Sequence, residues 1–194
     1  LFPIAAKKTI AFIQARKVLA PYAKPEKFDY NLAVIGAGPG GYAAAFLAAD
    51  LGMNVTLIDK EKNPGGVCLY RGCIPSKALL HVAKLLDETE HAKNWGIEFQ
   101  KPKIDLDKLR EFKNKVVDKN TGGLGQLVKA RKINYIQGTG SFVNSNTIYV
   151  EKHEGGHDEI EFEHAILATG SLPTKIPGLS IDSERVMDST DALE

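Results

Sequence analysis

Cysteine is nearly absent. Of 194 residues only Cys68 and Cys73 are cysteine, which excludes the spread of distant disulfides that holds small secreted domains together. An excess of one charge is absent too. The 25 basic and 24 acidic side chains leave a net charge of +1, so no global field points to nucleic acid or to an anionic surface. No run reaches the ~18 apolar residues of a membrane span, and no signal-peptide pattern is present. There is no internal repeat and no low-complexity tract. What is there is an ordinary globular composition, 43% hydrophobic and 25% charged, in a length suited to one domain or one domain with an extra segment. Both cysteines fall inside a single glycine-rich stretch. That reads as a site in a reducing compartment.

The chain divides near residue 27. From Leu1 to Pro25 it carries Lys7, Lys8, Arg16, Lys17 and Lys24 with no acidic residue, and Ile4, Ile10, Phe12, Ile13, Val18 and Leu19 form a loose helical stripe. Residues 1–27 therefore read as a basic, helical N-terminal extension. A helix packed on its own domain, or a tether, is the plainer role. Membrane-surface contact, partner docking or targeting is the alternative. The opening Leu1 suggests that the native start lies elsewhere.

Residues 28–194 read as an α/β domain of Rossmann type, a parallel sheet with an inserted antiparallel strand pair or meander. Phe28 to Ile35 is an apolar run ending at Gly36, as a buried parallel strand should. Gly40 to Leu51 is alanine-rich and helical, and Asn54 to Asp59 is a second strand, which makes a right-handed crossover unit. Helices are expected from about Pro75 to Asn94, stopped by Gly96, and from Leu106 to Arg131 with a break near Gly122-Gly123. Ile133 to Ile136 reads as a strand. Ser141 to Val150 and Glu159 to Glu163 read as a pair joined by a turn over Glu154 to Asp158, and His164 to Ala168 as a last buried strand.

Gly36-Ala37-Gly38-Pro39-Gly40-Gly41 fits the pattern G-x-G-x-x-G between a strand and a helix. Gly36 permits the tight turn, Gly38 leaves a pyrophosphate free to approach the backbone, and Gly41 allows close helix–strand packing. The helix N-terminus adds free N–H groups and a positive dipole end. Asp59 closes the next strand, 18 positions after Gly41, near the spacing of a carboxylate that bonds a ribose hydroxyl. The combination points to a dinucleotide without choosing between FAD and NAD.

Cys68 and Cys73 stand five positions apart on a segment entering a helix. One helical turn can bring their Cα atoms within the ~4.4–6.8 Å that a disulfide requires. So short a loop gains little from closure, which favours redox chemistry over stapling. Cys73 precedes Pro75, a good early helical residue, so the helix dipole can favour its thiolate, the form that undergoes exchange. A metal site is disfavoured: no further Cys exists, and no His occurs between Gly36 and Lys77.

The segment Gly66-Val67-Cys68-x-x-x-x-Cys73-Ile74-Pro75-Ser76-Lys77-Ala78-Leu79-Leu80 resembles the active-site segment of the flavin- and disulfide-dependent pyridine nucleotide oxidoreductases. Within that family its continuation is closer to members that oxidise dihydrolipoamide than to those that act on glutathione. Thr121-Gly122-Gly123-Leu124, Gly138-x-Gly140-x-Phe142 and Ala168-Thr169-Gly170-Ser171 recur in the expected order, so the resemblance covers residues 29 to about 191. It implies that Gly36, Gly38 and Gly41 hold the FAD pyrophosphate and Asp59 the adenosine ribose, where members often carry Glu. Lys60, Gly65 and Gly66 would line the same cofactor, and Lys77 would reach the flavin N5 edge. Gly138 would approach the adenine end, with Thr169, Gly170 and Ser171 closing over the cofactor. For Lys77 a solvated helix lysine, and for these last glycines simple turn geometry, are the rival readings.

The resemblance also implies a relay. Cys68 would exchange with the substrate dithiol through a mixed disulfide, Cys73 would face the flavin, and electrons would pass from dihydrolipoamide to the cysteine pair, to FAD and then to NAD. Partners implied are the lipoyl group of a 2-oxo acid dehydrogenase complex or of a glycine cleavage system, with a homodimer for the full-length chain, in bacterial cytoplasm or mitochondrial matrix. NAD, central and interface domains, with a catalytic His, belong to the family's full chain and are not expected within these 194 residues. None of His81, His91, His153, His157 or His164 has a matching context. The chain is thus expected not to complete turnover alone. A related reductase with another thiol or disulfide substrate, or a non-catalytic FAD-binding or partner-docking module, is the competing reading.

Overall fold

The computed structural model describes residues 27–174, 176, 178, 183 and 185–193, and the basic extension expected to be helical lies outside them apart from Lys27. In chain order the elements are β1 (Tyr30–Ile35), α1 (Pro39–Asp50), β2 (Val55–Asp59), α2 (Gly66–Arg71), α3 (Cys73–His91), α4 (Leu106–Ala130), β3 (Asn134–Phe142), β4 (Thr147–Lys152) and β5 (His157–Leu167). Two 3-10 turns, Ala92–Trp95 and Asp191–Leu193, complete them.

β3, β2, β1 and β5 lie side by side in that order, all parallel, with Val34 beside Leu57 on one side and Ile166 on the other. β3 and β5 are long enough to leave this sheet. The second half of β3 and the first half of β5 each pair antiparallel with β4, Ile148 facing Phe142 and Ile160. The pairings therefore close into a ring, parallel on one wall and antiparallel on the other.

Alternation of side chains along each strand sorts the core into two halves. Leu32 and Val34 of β1 and Val55 and Leu57 of β2 point outward, onto Ala45 and Ala48 of α1 and Val128 of α4. Ala33, Ile35 and Ile58 point inward and meet Ile136, Ile148, Val150, Ile160 and Phe162 inside the ring. The alanines of α1 let the helix lie close to the strands. Its far end is tied to the end of α4, where Arg131 pairs with Asp50 at 2.9 Å and lies 4.8 Å over the Phe46 ring. Buried Thr56 is satisfied by donating to the Asn134 carbonyl at 3.2 Å, which locks β2 to the start of β3.

The structure departs from the sequence expectations in four places. α4 runs through Gly122-Gly123 without a break, because packing of Val117, Thr121 and Val128 outweighs the ~1 kcal/mol that each glycine costs a helix. α3 begins at Cys73, two residues before Pro75. Ser141 to Val150 is not one strand: β3 ends at Phe142 and β4 starts at Thr147, around a turn in which Asn144 Oδ1 accepts from the Asn146 N–H. The stretches read as Glu159–Glu163 and His164–Ala168 are one strand, and Glu163 to Leu167 are exposed rather than buried. They form the outer edge of the parallel wall, paired with β1 on one side only among the described residues. No helix among those residues is long and apolar enough to cross a membrane.

Candidate functional site

Most of the residues singled out in sequence gather at the carboxyl ends of the four parallel strands. Gly36 follows β1, Asp59 and Lys60 end β2, Gly138 stands just past the parallel part of β3, and Thr169 to Ser171 follow β5. In open parallel sheets this crevice is where ligands bind. β1 and β5 are adjacent, so the turns that leave them touch. The Ala168 N–H donates to the Ile35 carbonyl at 2.8 Å, and a Cβ on Gly36, whose φ is +97°, would lie 2.3 Å from the Ala168 oxygen.

The three fingerprint glycines have different physical reasons. A Cβ on Gly41 would lie 1.8 Å from the Gly36 carbonyl oxygen, so this glycine is what lets α1 start against β1. A Cβ on Gly38 would meet only the Gly66 Cα, at 3.8 Å. Its φ of −68° suits any residue, so neither crowding nor strain requires glycine there. The open side of Gly38, beside the unpaired N–H groups of the first turn of α1, fits a ligand approaching the backbone.

Asp59 does more than end β2. Its Oδ2 accepts from the Ala37 N–H at 2.5 Å and its Oδ1 from the Glu61 N–H at 2.9 Å. The carboxylate thus holds the glycine turn from one side and starts the following loop from the other. Lys60 is exposed, and its carbonyl accepts from Gln137 at 3.0 Å. Gly138 is buried, and a Cβ there would lie 2.4 Å from the Glu151 oxygen, so crowding with β4 already accounts for it. Thr169, Gly170 and Ser171 are exposed, and Gly170, with φ of +71°, has open space around it.

The loop after Asp59 returns to the glycine turn. The Gly65 N–H donates to the Ala37 carbonyl at 2.8 Å. Gly66, with φ of +58°, packs so tightly that a Cβ would lie 2.5 Å from the Gly38 Cα. α2 starts at Gly66 and carries Cys68. Gly72 ends it at φ −147° and ψ −114°, and Cys73 opens α3. The cysteine pair is therefore built across a break between two helices, next to the phosphate-type turn.

Both cysteines are free thiols, Cys68 half-buried and Cys73 exposed. The Cys68 thiol is pushed up from the ordinary 9.0, first by its hydrogen bond with Cys73, then by burial and by the charge of Cys73. The backbone of Cys73 and the ammonium of Lys77 oppose the rise. Cys68 thus keeps its proton and shares it toward Cys73, and Lys77 is close enough to act on Cys68.

Sequence reading missed the supports of this arrangement. The Tyr70 hydroxyl donates to the Asn63 carbonyl at 3.1 Å and accepts from the Asn63 N–H at 3.3 Å. Arg71 pairs with Glu61 at 2.5 Å, and the Tyr135 hydroxyl donates to the Glu61 carbonyl at 2.7 Å. Burial, followed by the charge of Asp59, holds Tyr135 far above the usual phenol range. A Cβ on Gly125 of α4 would lie 2.4 Å from Asn63 Oδ1, so that helical glycine makes room for the loop. The available signal was Tyr70-Arg71 lying between the cysteines. All five histidines are exposed, and His157 stacks on Tyr149 with 5.0 Å between ring centroids.

This combination of turn and thiol pair defines a class. The family model described as pyridine nucleotide-disulphide oxidoreductase matches residues 30–194, and the chain belongs to that family of oxidoreductases. The resemblance carried by the motifs is thereby borne out. Among its relatives, a dihydrolipoyl dehydrogenase of Vibrio cholerae is 49% identical over 164 residues, 84% of this chain and 34% of that protein. A dihydrolipoyl dehydrogenase of Haemophilus influenzae is 46% identical with the same coverage. One of Staphylococcus aureus is 47% identical over 160 residues, 82% of this chain and 34% of that protein. The chain spans about a third of the length of these curated relatives.

Proposed function

We propose that residues 28–194 are the FAD-binding part of a dithiol oxidoreductase that oxidises dihydrolipoamide. The observation that carries this reading is the contact of Gly66 with Gly38, which seats the helix bearing Cys68 against the turn suited to a pyrophosphate. The names of the relatives supply the substrate class.

The residues present fit FAD. Gly38 leaves its backbone open, α1 presents its first N–H groups, and Asp59 keeps the turn in shape and would hold the adenosine ribose. Gly36 and Gly41 make the turn, Gly65 and Gly66 floor it, and Thr169, Gly170 and Ser171 flank it from β5. Lys60 would line the same cofactor, and Gly138 would approach its adenine end. FAD, when bound, supplies the two-electron acceptor.

The chemistry assigned to the chain's own atoms begins with the Cys68–Cys73 disulfide. A substrate thiolate attacks the Cys68 sulfur, the bond between the cysteines breaks, and Cys73 leaves as a thiolate. The second substrate thiol displaces Cys68, closing the lipoyl disulfide and leaving two electrons on the pair. Raising the Cys68 thiol favours return of the proton to that sulfur, and Lys77 would reach the flavin N5 edge. NAD binding, the catalytic His and the homodimer are assigned to the two thirds of the relatives' length that this chain does not span. The lipoyl partner would be a 2-oxo acid dehydrogenase complex or a glycine cleavage system, in bacterial cytoplasm or mitochondrial matrix.

The test is visible absorbance of the protein with FAD, before and after reduction by a dithiol. A long-wavelength band that appears on reduction and is lost in Cys73→Ala is expected. Flavin bound with no response to Cys73 would sink the assignment of the pair.

A further inference from the structure

α2 is six residues long, from Gly66 to Arg71, with a glycine at each end. A helix this short does not hold itself together in water, so its position must come from what it touches. Its own Leu69 is buried. Its last two residues, Tyr70 and Arg71, are both fastened to one short segment, Glu61 to Asn63. Tyr70 both donates to and accepts from the Asn63 backbone. Arg71 pairs with Glu61 at 2.5 Å and its guanidinium lies 5.8 Å from the centre of the Tyr70 ring. That segment is itself held, by Asp59 at the Glu61 N–H, by Tyr135 at the Glu61 carbonyl, and by α4 packing through Gly125.

None of these fastenings reaches α3, which carries Cys73. The two sulfurs thus sit on two helices that touch each other and both pack on α4, joined by Gly72, and only α2 is tied to Glu61 and Asn63. A Cβ on Gly72 would lie 2.9 Å from the Val67 oxygen, so the joint is tight but built from a residue with two soft dihedrals. The ties to Glu61–Asn63 are therefore an anchorage of α2, added to its packing on α3 and α4, that bears on where Cys68 stands.

We propose that Tyr70 and Arg71 are positioning residues that set the dithiol–disulfide equilibrium of Cys68 and Cys73 by clamping α2 to the Glu61–Asn63 loop. The proposal rests on the reading of Cys68 and Cys73 as a redox pair, and it adds to that reading what tunes the pair. Closing a disulfide costs less when the sulfurs are already held in reach, so the clamp raises the effective concentration of one thiol at the other. The Tyr70 hydroxyl carries more of the effect than Arg71, because the exposed part of the ion pair is screened by solvent.

The experiment equilibrates the purified protein with glutathione buffers of graded ratio, without flavin, and counts free thiols at Cys68 and Cys73. The reaction read is two protein thiols plus oxidised glutathione giving the intramolecular disulfide plus two reduced glutathiones. Tyr70→Phe with Arg71→Met is expected to lower the equilibrium constant about tenfold, a potential about 30 mV less negative. Tyr70→Phe alone and Glu61→Gln shift it the same way by less. The charge-reversed pair, Glu61→Arg with Arg71→Glu, should return it most of the way. Lys84→Met, at an exposed i,i+4 pair of α3, should leave it unchanged. Equal constants for the protein, Tyr70→Phe and Glu61→Gln, all shown folded by circular dichroism, would overturn the proposal. A protein that forms no Cys68–Cys73 disulfide at any ratio would overturn instead the redox-pair reading beneath it.

Discussion

Gly66 lies so close to Gly38 that a Cβ on Gly66 would stand 2.5 Å from the Gly38 Cα, while a Cβ on Gly38 would lie 3.8 Å from the Gly66 Cα and meet nothing else within 4 Å. The asymmetry is useful. Glycine is required by the fold at Gly66, whereas at Gly38 neither crowding nor strain requires it.

Gly38→Ala is therefore expected to leave unfolding free energy within about 1 kcal/mol of the original and to weaken FAD binding about a hundredfold, about 2.7 kcal/mol. Gly41→Ala, where the new Cβ would lie 1.8 Å from the Gly36 oxygen, should destabilise the fold by about 3 kcal/mol or more. Urea unfolding and flavin fluorescence titration separate the two. A Gly38→Ala protein that binds FAD normally would remove the pyrophosphate from that position.

Gly66→Ala combines a left-handed φ of +58° with the clash against Gly38. It should cost about 1–3 kcal/mol of stability and weaken flavin binding at the same time, because the two backbones must part. The same two measurements check it, and a loss of only one property would contradict the contact.

Asp59→Ala strips an acceptor from the Ala37 and Glu61 N–H groups. A loss of about 1–3 kcal/mol is expected, with the Ala37 amide gaining hydrogen exchange. Asp59→Asn keeps one acceptor oxygen and should fall between. If Asp59 acted on a ribose alone, stability without flavin would not change.

Cys68 carries a thiol raised above 9.0, and its first cause is the bond with Cys73. A group raised in the folded state contributes stability that is fully present below the ordinary value and is lost as pH rises through the folded one. The affected window thus opens at about pH 9 and extends upward. Cys73→Ala should lower the Cys68 value, so alkylation of Cys68 by iodoacetamide at pH 8 becomes faster. Lys77→Met removes a lowering influence and should make it slower. Changes of the same sign in both variants would contradict the arrangement.

Gly122 and Gly123 sit mid-helix, and a methyl group on either would meet nothing within 4 Å. Gly122→Ala and Gly123→Ala should each stabilise the protein by about 0.5–1 kcal/mol, read as a higher thermal midpoint. A drop would mean that the helix depends on a bend there.

Those glycines also show where sequence reading stops. A pair of glycines lowers helix propensity locally, yet α4 continues because Thr121, Val117 and Val128 are buried on one face. The outer edge of β5 was misjudged for a related reason: Ile166 and Leu167 are apolar, but burial depends on whether another element lies over them. β1, α1 and β2 were legible because their signals are local. Short apolar runs, a glycine turn and small helix residues all appear within a few positions of one another.

The sequence by itself determined the glycine turn, the spacing of Cys68 and Cys73, and the family to which they belong, because each depends on residue type at fixed short separation. Only the tertiary structure decided what surrounds them. It brought Gly66 against Gly38, turned Asp59 onto the Ala37 N–H, and fastened Tyr70 and Arg71 to Asn63 and Glu61. Most of these partners are backbone atoms or residues outside any motif. Backbone groups look alike at every position in a sequence, so which of them meet is settled by the folding of the sheet.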